Sequence, residues 1–341
     1  MKKTLLISLV IIVLGFVTAA VMVRNIVFKP NAGSEVPYRI FVPAGSTVKD
    51  VTDSLFSEGA LNNTKSFMIT ASLKNFSGPV KPGFYRIEKG MSNNNIINMF
   101  RAGKQAPVDV TFNNIRTLND LAGKVGGRIE ADSAAIMAFL SDPSNYSEDG
   151  FTYQTVISVF VPDTYQLYWI TDAEGFYKRM LREYKSFWNE ERLAAAGAEG
   201  LKPVEVSTLA SIIDDEVSKD DEKPRIAGVY LNRLRLGIPL QSDPTIKFAL
   251  NDFTIRRVLK PHLKVISPYN TYAHRGLPPG PVRCPSKTAI DAVLNAEKHD
   301  FIYFVAKSDF SGYHHFSRTL AEHNRYASAY QRELNKRKIY E

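Results

Sequence analysis

The chain carries a single cysteine, Cys284, in 341 residues. No intrachain disulfide can form, and no thiolate metal site can be assembled on one thiol. A lipid-modified cysteine near the N-terminus is excluded for the same reason. The six histidines are His262, His274, His299, His314, His315 and His323. They contain no H-E-x-x-H pair, and the adjacent His314 and His315 would point to opposite faces of a strand. No metal and no organic cofactor are expected. Neither G-x-S-x-G nor a phosphate-binding glycine loop occurs. Lys and Arg outnumber Asp and Glu by 43 to 35, a formal charge of +8. They form no dense stripe interleaved with aromatics, so nucleic acid is not an expected partner. A mild basic balance instead suits a membrane surface or an acidic wall polymer. No internal repeat stands out.

One long hydrophobic run is present. Residues 4–23 hold no charge, and twenty residues at 1.5 Å rise span ~30 Å, the thickness of a bilayer core. Lys2 and Lys3 precede the run, and Arg24 and Lys29 follow it. Orientation therefore rests mainly on the short N-terminal tail staying inside. A cleaved signal peptide is the rival reading, with Val17-Thr18-Ala19 as the cleavage site, but the run exceeds a usual signal core. Residues 1–24 are read as a cytoplasmic tail and an uncleaved single-pass anchor in the inner membrane. The rest of the chain lies outside the cytoplasm. Residues 25–37, with Pro30, Gly33 and Pro37, are read as a linker.

The expected fold class is α+β. Tyr38–Pro43 alternates like a strand, and Gly45-Ser46-Thr47 opens a helix with Val48, Val51, Leu55 and Phe56 on one face. A helix over 64–74, a strand over Gly83–Ile87 and a helix over 93–101 complete a small α/β domain at 38–106. Phe84 and Tyr85 are its only candidate aromatic platform for a ligand. Residues 107–150 read as a bridging α/β segment, and 151–341 as a mixed α+β domain. There Tyr165, Tyr168 and Trp169 are either ligand-stacking aromatics or core aromatics on a strand. Ala173–Trp188 is amphipathic, with a core stripe of Phe176, Met180, Leu181 and Tyr184. K-D-D-E-K-P-R after residue 218 reads as a solvated charged turn. Ile302–Ala306 reads as a buried strand, and Thr319–Lys338 as a closing basic helix.

The chemistry concentrates between Val206 and Thr245. Val206, Leu209, Ile212 and Ile213 fall within one helical arc of ~120°, and Glu216 projects into its middle. Asp214 and Asp215 diverge from it on either side and are expected to face outward. A carboxyl among apolar neighbours resists ionising, which is what a general acid needs near neutral pH. The competing reading is a Glu at a helix end that bends to water or pairs with Arg225 or Arg233. Downstream, Pro224 suits the first turn of a second helix that Gly237 ends, with Asn232 and Arg233 toward a cleft. Gln241, Ser242 and Asp243 read as an extended polar segment. Two proline-stiffened loops come next, S-P-Y-N-T-Y from Ser267 and G-L-P-P-G-P from Gly276.

In order, L-A-S-I-I-x-x-E, R-I-A-G-V-Y-L-N-R-L, L-Q-S-D-P-T, S-P-Y-N-T-Y, G-L-P-P-G-P, Y-F-V-A and E-H-N run from Leu209 to Asn324. Upstream, V-F-V-P-D-T-Y fits the F-x-P-D-T-Y segment of the same set. This series resembles the YceG-like family of membrane-bound endolytic murein transglycosylases, over roughly residues 38–341. The resemblance implies a lyase that cuts the MurNAc–GlcNAc bond inside peptidoglycan glycan strands, leaves 1,6-anhydro-MurNAc ends and terminates nascent strands. Peptidoglycan glycan strands are then the substrate, and peptidoglycan synthases are prospective partners. The domain at 38–106 would be LysM-like. The family's catalytic glutamate falls on Glu216, and Asn232, Gln241, Asp243, Tyr269, Asn270 and Tyr272 are the candidate substrate-binding residues. Many members carry a second Glu where this chain has Asp214. The alternatives are a peptidoglycan-binding scaffold without turnover, and a hydrolytic glycosidase, which would need a second carboxylate such as Asp243.

Overall fold

A computed structural model describes residues 2–33 and 37–337. The chain divides into two compact units. The first comprises residues 1–110 with the short segments 128–130 and 166–171, and the second holds the remainder.

The first unit opens with helix α1, Lys2–Phe28. Its apolar side chains stand exposed as far as Val23, Leu5 and Phe16 at 77%, whereas Val27 near its end is buried. It is long and apolar enough to cross a membrane. The helix runs past the expected end of the anchor at residue 24. Of the expected linker, residues 34–36 lie outside the described residues. The segment just after α1 is not a loose tether. Asn31 is buried, donates to Asn93 Oδ1 at 2.7 Å and to the Asn63 carbonyl at 2.9 Å, and accepts from the Asn63 amide. Asn93 in turn donates to the Ile26 carbonyl at 2.8 Å. Because buried amides need partners, this asparagine cluster fastens the last turn of α1 to the small domain.

That domain pairs β1 (Tyr38–Val42) with β2 (Gly83–Ile87) antiparallel, Ile40 opposite Tyr85. Helices α2 (Val48–Ser57), α3 (Thr64–Leu73) and α4 (Asn93–Ala102) pack with the sheet around Leu55, Phe67, Ile96 and Phe100. Each helix begins at a side-chain cap, on Thr47, Asn63 and Ser92 respectively. Phe84 and Tyr85 do not form a sugar platform. Both are buried, Tyr85 with its hydroxyl on the Lys81 carbonyl and its ring edge-on to Phe100. Alternation along β2 puts Tyr85 on the core side, which the sequence alone left open.

The unit boundary falls within β3 (Val108–Phe112) and β4 (Asp163–Leu167), which pair with each other. Tyr165 on β4 is a core aromatic, stacked on Phe112, whereas Tyr168 is exposed.

In the second unit α5 (Leu118–Gly126) and α6 (Ser133–Ser141) pack together, and α7 (Ala173–Phe187) buries the stripe from Phe176 to Tyr184. After α8 (Glu190–Ala198) comes α9 (Pro203–Glu216), about which this unit is arranged. Every residue from Val206 to Ile213 is buried, so α9 is enclosed on all sides rather than amphipathic. Two of its hydroxyls are satisfied: Thr208 donates to the Val204 carbonyl, and Ser211 donates to that of Thr208 while accepting from the Val282 amide. Around α9 pack α8, α10 (Lys223–Arg235), α11 (Asp243–Leu250) and α12 (Lys287–Leu294). The hairpin of β5 (Tyr303–Ala306) and β6 (His314–Ser317) is backed by α13 (Leu320–Lys336), whose expected extension to Lys338 lies outside the described residues. β5 is half-buried rather than buried, because it also lines a cleft.

The charged run after residue 218 is not simply solvated. Glu222 and Lys223 are each 5% exposed. Glu222 bonds His314 Nδ1 at 2.7 Å, and Lys223 bonds Asp214 at 2.7 Å and Asp220 at 2.8 Å. Burial alone would lower the Lys223 ammonium, but these carboxylates outweigh it and keep it above the usual lysine value.

Two helical glycines give opposite expectations for the same substitution. A Cβ at Gly228 on α10 would stand 2.3 Å from the Glu297 carbonyl oxygen, whereas one at Gly197 on α8 meets open space. Gly228→Ala should destabilise the protein by about 1–3 kcal/mol through overpacking. Gly197→Ala should be neutral or stabilising, by up to about 1 kcal/mol. Thermal unfolding of the detergent-solubilised chain checks both, and equal effects would contradict the packing described.

Candidate active site

Glu216 is the last residue of α9. It opens on a cleft of about 560 Å3 walled by the start of α11, the end of α10, the hairpin and Tyr272. Its Oε1 accepts two hydroxyl bonds, from Ser242 Oγ at 2.6 Å and Tyr230 at 2.9 Å. No bond to Oε2 occurs among the described residues, so that oxygen is the one available to carry a proton. Burial pushes the carboxyl up to about 7. The Ser242 and Tyr230 bonds work against this shift, while the charges of Asp243 and Asp215 add to it. The Tyr230 hydroxyl is itself held well above the ordinary tyrosine value, by burial first and then by Glu216, and so remains a donor.

No arginine pairs with Glu216 among the described residues. Arg225 pairs with Glu297 at 2.9 Å. Arg233 is 6% exposed and directs its guanidinium to the Pro239 and Ile302 carbonyls and to Gln241 Oε1 at 2.5 Å. The two neighbouring aspartates do turn from Glu216, but not outward to water. Asp214 accepts from Lys223, from the Ser286 amide and from the Ser286 hydroxyl. Asp215 takes Arg116 bidentately at 2.7 and 2.9 Å and Arg283 at 2.8 Å, at the edge of the cleft. Their side chains are 10% and 9% exposed. The reason is the burial of α9 on every side: a residue leaving its apolar arc meets another helix or loop, not solvent.

Gln241-Ser242-Asp243 is not an extended segment. Ser242 is the N-cap of α11, with Asp243 and Pro244 in its first turn. Serine ahead of a first-turn proline is a helix-start signal present in the sequence. Ser242 makes no side-chain bond to its own helix, however, and its hydroxyl goes to Glu216 instead. The loop from Ser267 secures this arrangement. Thr271, 2% exposed, accepts from the Gln241 amide through its carbonyl and from the Ser242 amide through Oγ1. Tyr272 donates to Asp243 Oδ1 at 2.5 Å. Burial raises the Asp243 carboxyl, and the Tyr272 bond and Lys247 partly offset that.

Of the candidate residues, the cleft thus gathers Glu216, Gln241, Asp243 and Tyr272. It does not gather the other three. Asn232 ties α10 to the chain before β5, donating to the His299 and Phe301 carbonyls. Asn270 is 1% exposed and stitches its own loop, donating to Leu263 and Val265 and accepting from the Tyr272 and Ala273 amides. Tyr269 packs on Phe248 and lines a separate cavity. Tyr230 and Ser242 are not among the sequence candidates. Tyr230 sits in an apolar helical stripe that gives no sign of its hydroxyl's partner.

Residues 40–329 match the YceG-like family. The chain belongs to that family. An endolytic murein transglycosylase of Bacillus subtilis is 27% identical over 89% of this chain and 88% of its own length. The endolytic murein transglycosylase of Streptococcus pneumoniae is also 27% identical, and the match covers 81% of this chain but 55% of that longer protein. The crystal structure of a YceG-like protein from Listeria monocytogenes aligns with a TM-score of 0.57 at 26% identity, over 86% of this chain and 99% of that one.

The three consecutive acids now carry distinct expectations. Asp214→Asn takes one of two carboxylates from buried Lys223, and Asp215→Asn leaves Arg283 and the partly exposed Arg116 without theirs, so each should lower stability by about 1–3 kcal/mol. Glu216→Gln removes a carboxyl that has no cation. Its raised pKa means that the folded state holds the proton longer than the unfolded one, so ionisation costs stability as pH rises from about 4.5 through about 7. The glutamine variant should therefore match the parent at pH 4 and exceed it at pH 8. Melting temperatures across that range test all three, and a Glu216→Gln difference independent of pH would count against the burial argument.

Proposed function

We propose that the chain is an endolytic murein transglycosylase, in which Glu216 alone acts as both acid and base. The observation that carries this reading is a half-buried carboxyl on a cleft, positioned by two hydroxyls and paired with no cation among the described residues, so that burial pushes it up to about 7. The names carried by the B. subtilis and S. pneumoniae relatives support it.

Protonated Glu216 gives its proton to the glycosidic oxygen between MurNAc and GlcNAc as the bond from the MurNAc anomeric carbon breaks. The carboxylate so formed accepts the proton of the MurNAc 6-hydroxyl as that oxygen attacks the anomeric carbon. The sugar ring closes to the 1,6-anhydro form, GlcNAc leaves with a free 4-hydroxyl, and Glu216 ends as it began. No water is consumed. A hydroxyl already tethered to the electrophile has an effective concentration of ~10⁵ M or more in well-oriented cases, which water cannot match without a dedicated base. Lys247 and Arg256 along the cleft suit the carboxylates of muropeptide stems. In the same reading α1 is a single-pass anchor with the remainder outside the cytoplasm. Residues 38–106 form a LysM-like glycan-binding domain, residues 107–150 bridge to the catalytic part, and peptidoglycan synthases are the natural neighbours of an enzyme that ends nascent strands.

One observation favours a second reading, hydrolysis. Asp243 lines the same cleft as Glu216, and a second carboxylate is what activation of water requires. Digestion of purified sacculi in ¹⁸O-labelled water separates the two. The proposed function gives 1,6-anhydro-MurNAc ends released from within strands and no label, with a rate that falls as pH rises through about 7, where Glu216 loses its proton. Labelled reducing MurNAc ends would assign water activation to Asp243. No cleavage at any pH would leave a peptidoglycan-binding scaffold.

A further inference from the structure

A second cavity in the same unit, about 390 Å3, shares a wall with the Glu216 cleft. Helix α11 borders both. Asp243, Pro244 and Lys247 line the cleft, and Phe248 and Asn251, each four residues beyond a cleft residue, line the second cavity. The Arg116–Asp215 pair joins them as well, since Asp215 lines the cleft and Arg116 lines the cavity. Two of the family's motifs also end here. The loop from Ser267 contributes Tyr269, tilted against Phe248 with ring centroids 4.6 Å apart. The proline-rich loop contributes Pro281, and its Gly280 lies so close to Gln154 that a Cβ would stand 2.1 Å from the Gln154 carbonyl oxygen.

We propose that this cavity is a glycan subsite, which takes neutral N-acetyl sugars of the strand beyond the pair being cut. The proposal rests on the murein reading above. Its lining pairs aromatic surface with amides: Tyr153, Phe248 and Tyr269 beside Asn119, Gln154 and Asn251. Aromatic faces match the apolar faces of pyranose rings, and amides match acetamido and hydroxyl groups. Charge decides between sugar and stem peptide. The one charged residue lining the cavity is Arg116, and Asp215 neutralises it while its guanidinium lies 4.7 Å over the Phe253 ring. A peptide carboxylate would find no unengaged cation there among the described residues, whereas the Glu216 cleft offers Lys247 and Arg256. A second sugar site beside the cleft also gives a physical basis for cutting within strands rather than at their ends.

The test uses the full chain in detergent with Glu216→Gln, so that glycan binds without being cut. Peptide-free GlcNAc–MurNAc tetrasaccharide and octasaccharide are the probes, titrated calorimetrically. Tyr153→Ala removes a ring that is 47% exposed, and Asn251→Gly suits a residue already at φ 51°, so neither disturbs packing. Each should weaken octasaccharide binding about tenfold, equivalent to roughly 1.4 kcal/mol, and leave tetrasaccharide binding unchanged. Unchanged octasaccharide binding, or equal losses on both probes, overturns the subsite while leaving the murein reading intact. A loss seen only with strands that carry stem peptides assigns the cavity to peptide and also overturns it. A parent that neither cuts sacculi nor binds either probe removes the murein reading itself.

Discussion

A carboxyl at the end of a helix buried on all sides is the constraint on which the rest of the catalytic unit depends. Three acids stand in a row at the end of α9, and the ~100° step between them sends each to a different neighbourhood. Asp214 meets Lys223 and the N-terminus of α12, and Asp215 meets Arg116 and Arg283. Glu216 meets only hydroxyls. A buried carboxyl beside a cation ionises, and one beside neutral donors keeps its proton to higher pH. The two ion-paired aspartates also hold α9 to the elements around it, so the residues that fix the helix and the residue proposed to do chemistry are consecutive.

The neighbours of Glu216 serve this arrangement more than they serve α10 and α11 themselves. Ser242 occupies the cap position of α11 yet bonds Glu216, and Tyr230 leaves an apolar stripe to do the same. Thr271 fixes the backbone at Ser242, and Tyr272 fixes Asp243. Asn270 and Gly280 act one step further out, the first by bracing its loop and the second by allowing close approach to Gln154. Motif residues around a site of this kind divide into those that touch the cleft and those that hold the loops which do.

Much of this was legible in the sequence where period and caps agree. The strands and helices of the small domain, the core stripe of α7 and the position of Glu216 on an apolar arc all come from local pattern. The amphipathic reading of α9 was incomplete because serine, threonine and aspartate look polar in a sequence, yet Thr208, Ser211 and Asp214 find their partners inside the fold. The same ambiguity misled the reading of Asn232 and Asn270, whose amides face backbone carbonyls rather than a ligand. A polar side chain in a motif shows that a bond is needed and does not say with what. Tyr230 is the converse case, an aromatic in an apolar helical stripe whose one polar atom reaches the carboxyl. Glu222 and Lys223 looked solvated because their partners, His314 and Asp214, are remote or on another helix.

The central claim is that burial keeps Glu216 protonated near neutral pH. The direct measurement is a ¹³C NMR titration of the glutamate side-chain carboxyls in the intact protein, with Glu216→Gln identifying the resonance. The account predicts a midpoint near 7. A midpoint near the ordinary glutamate value of about 4.3 would contradict it, because the carboxyl would then be ionised at neutral pH with no proton to give.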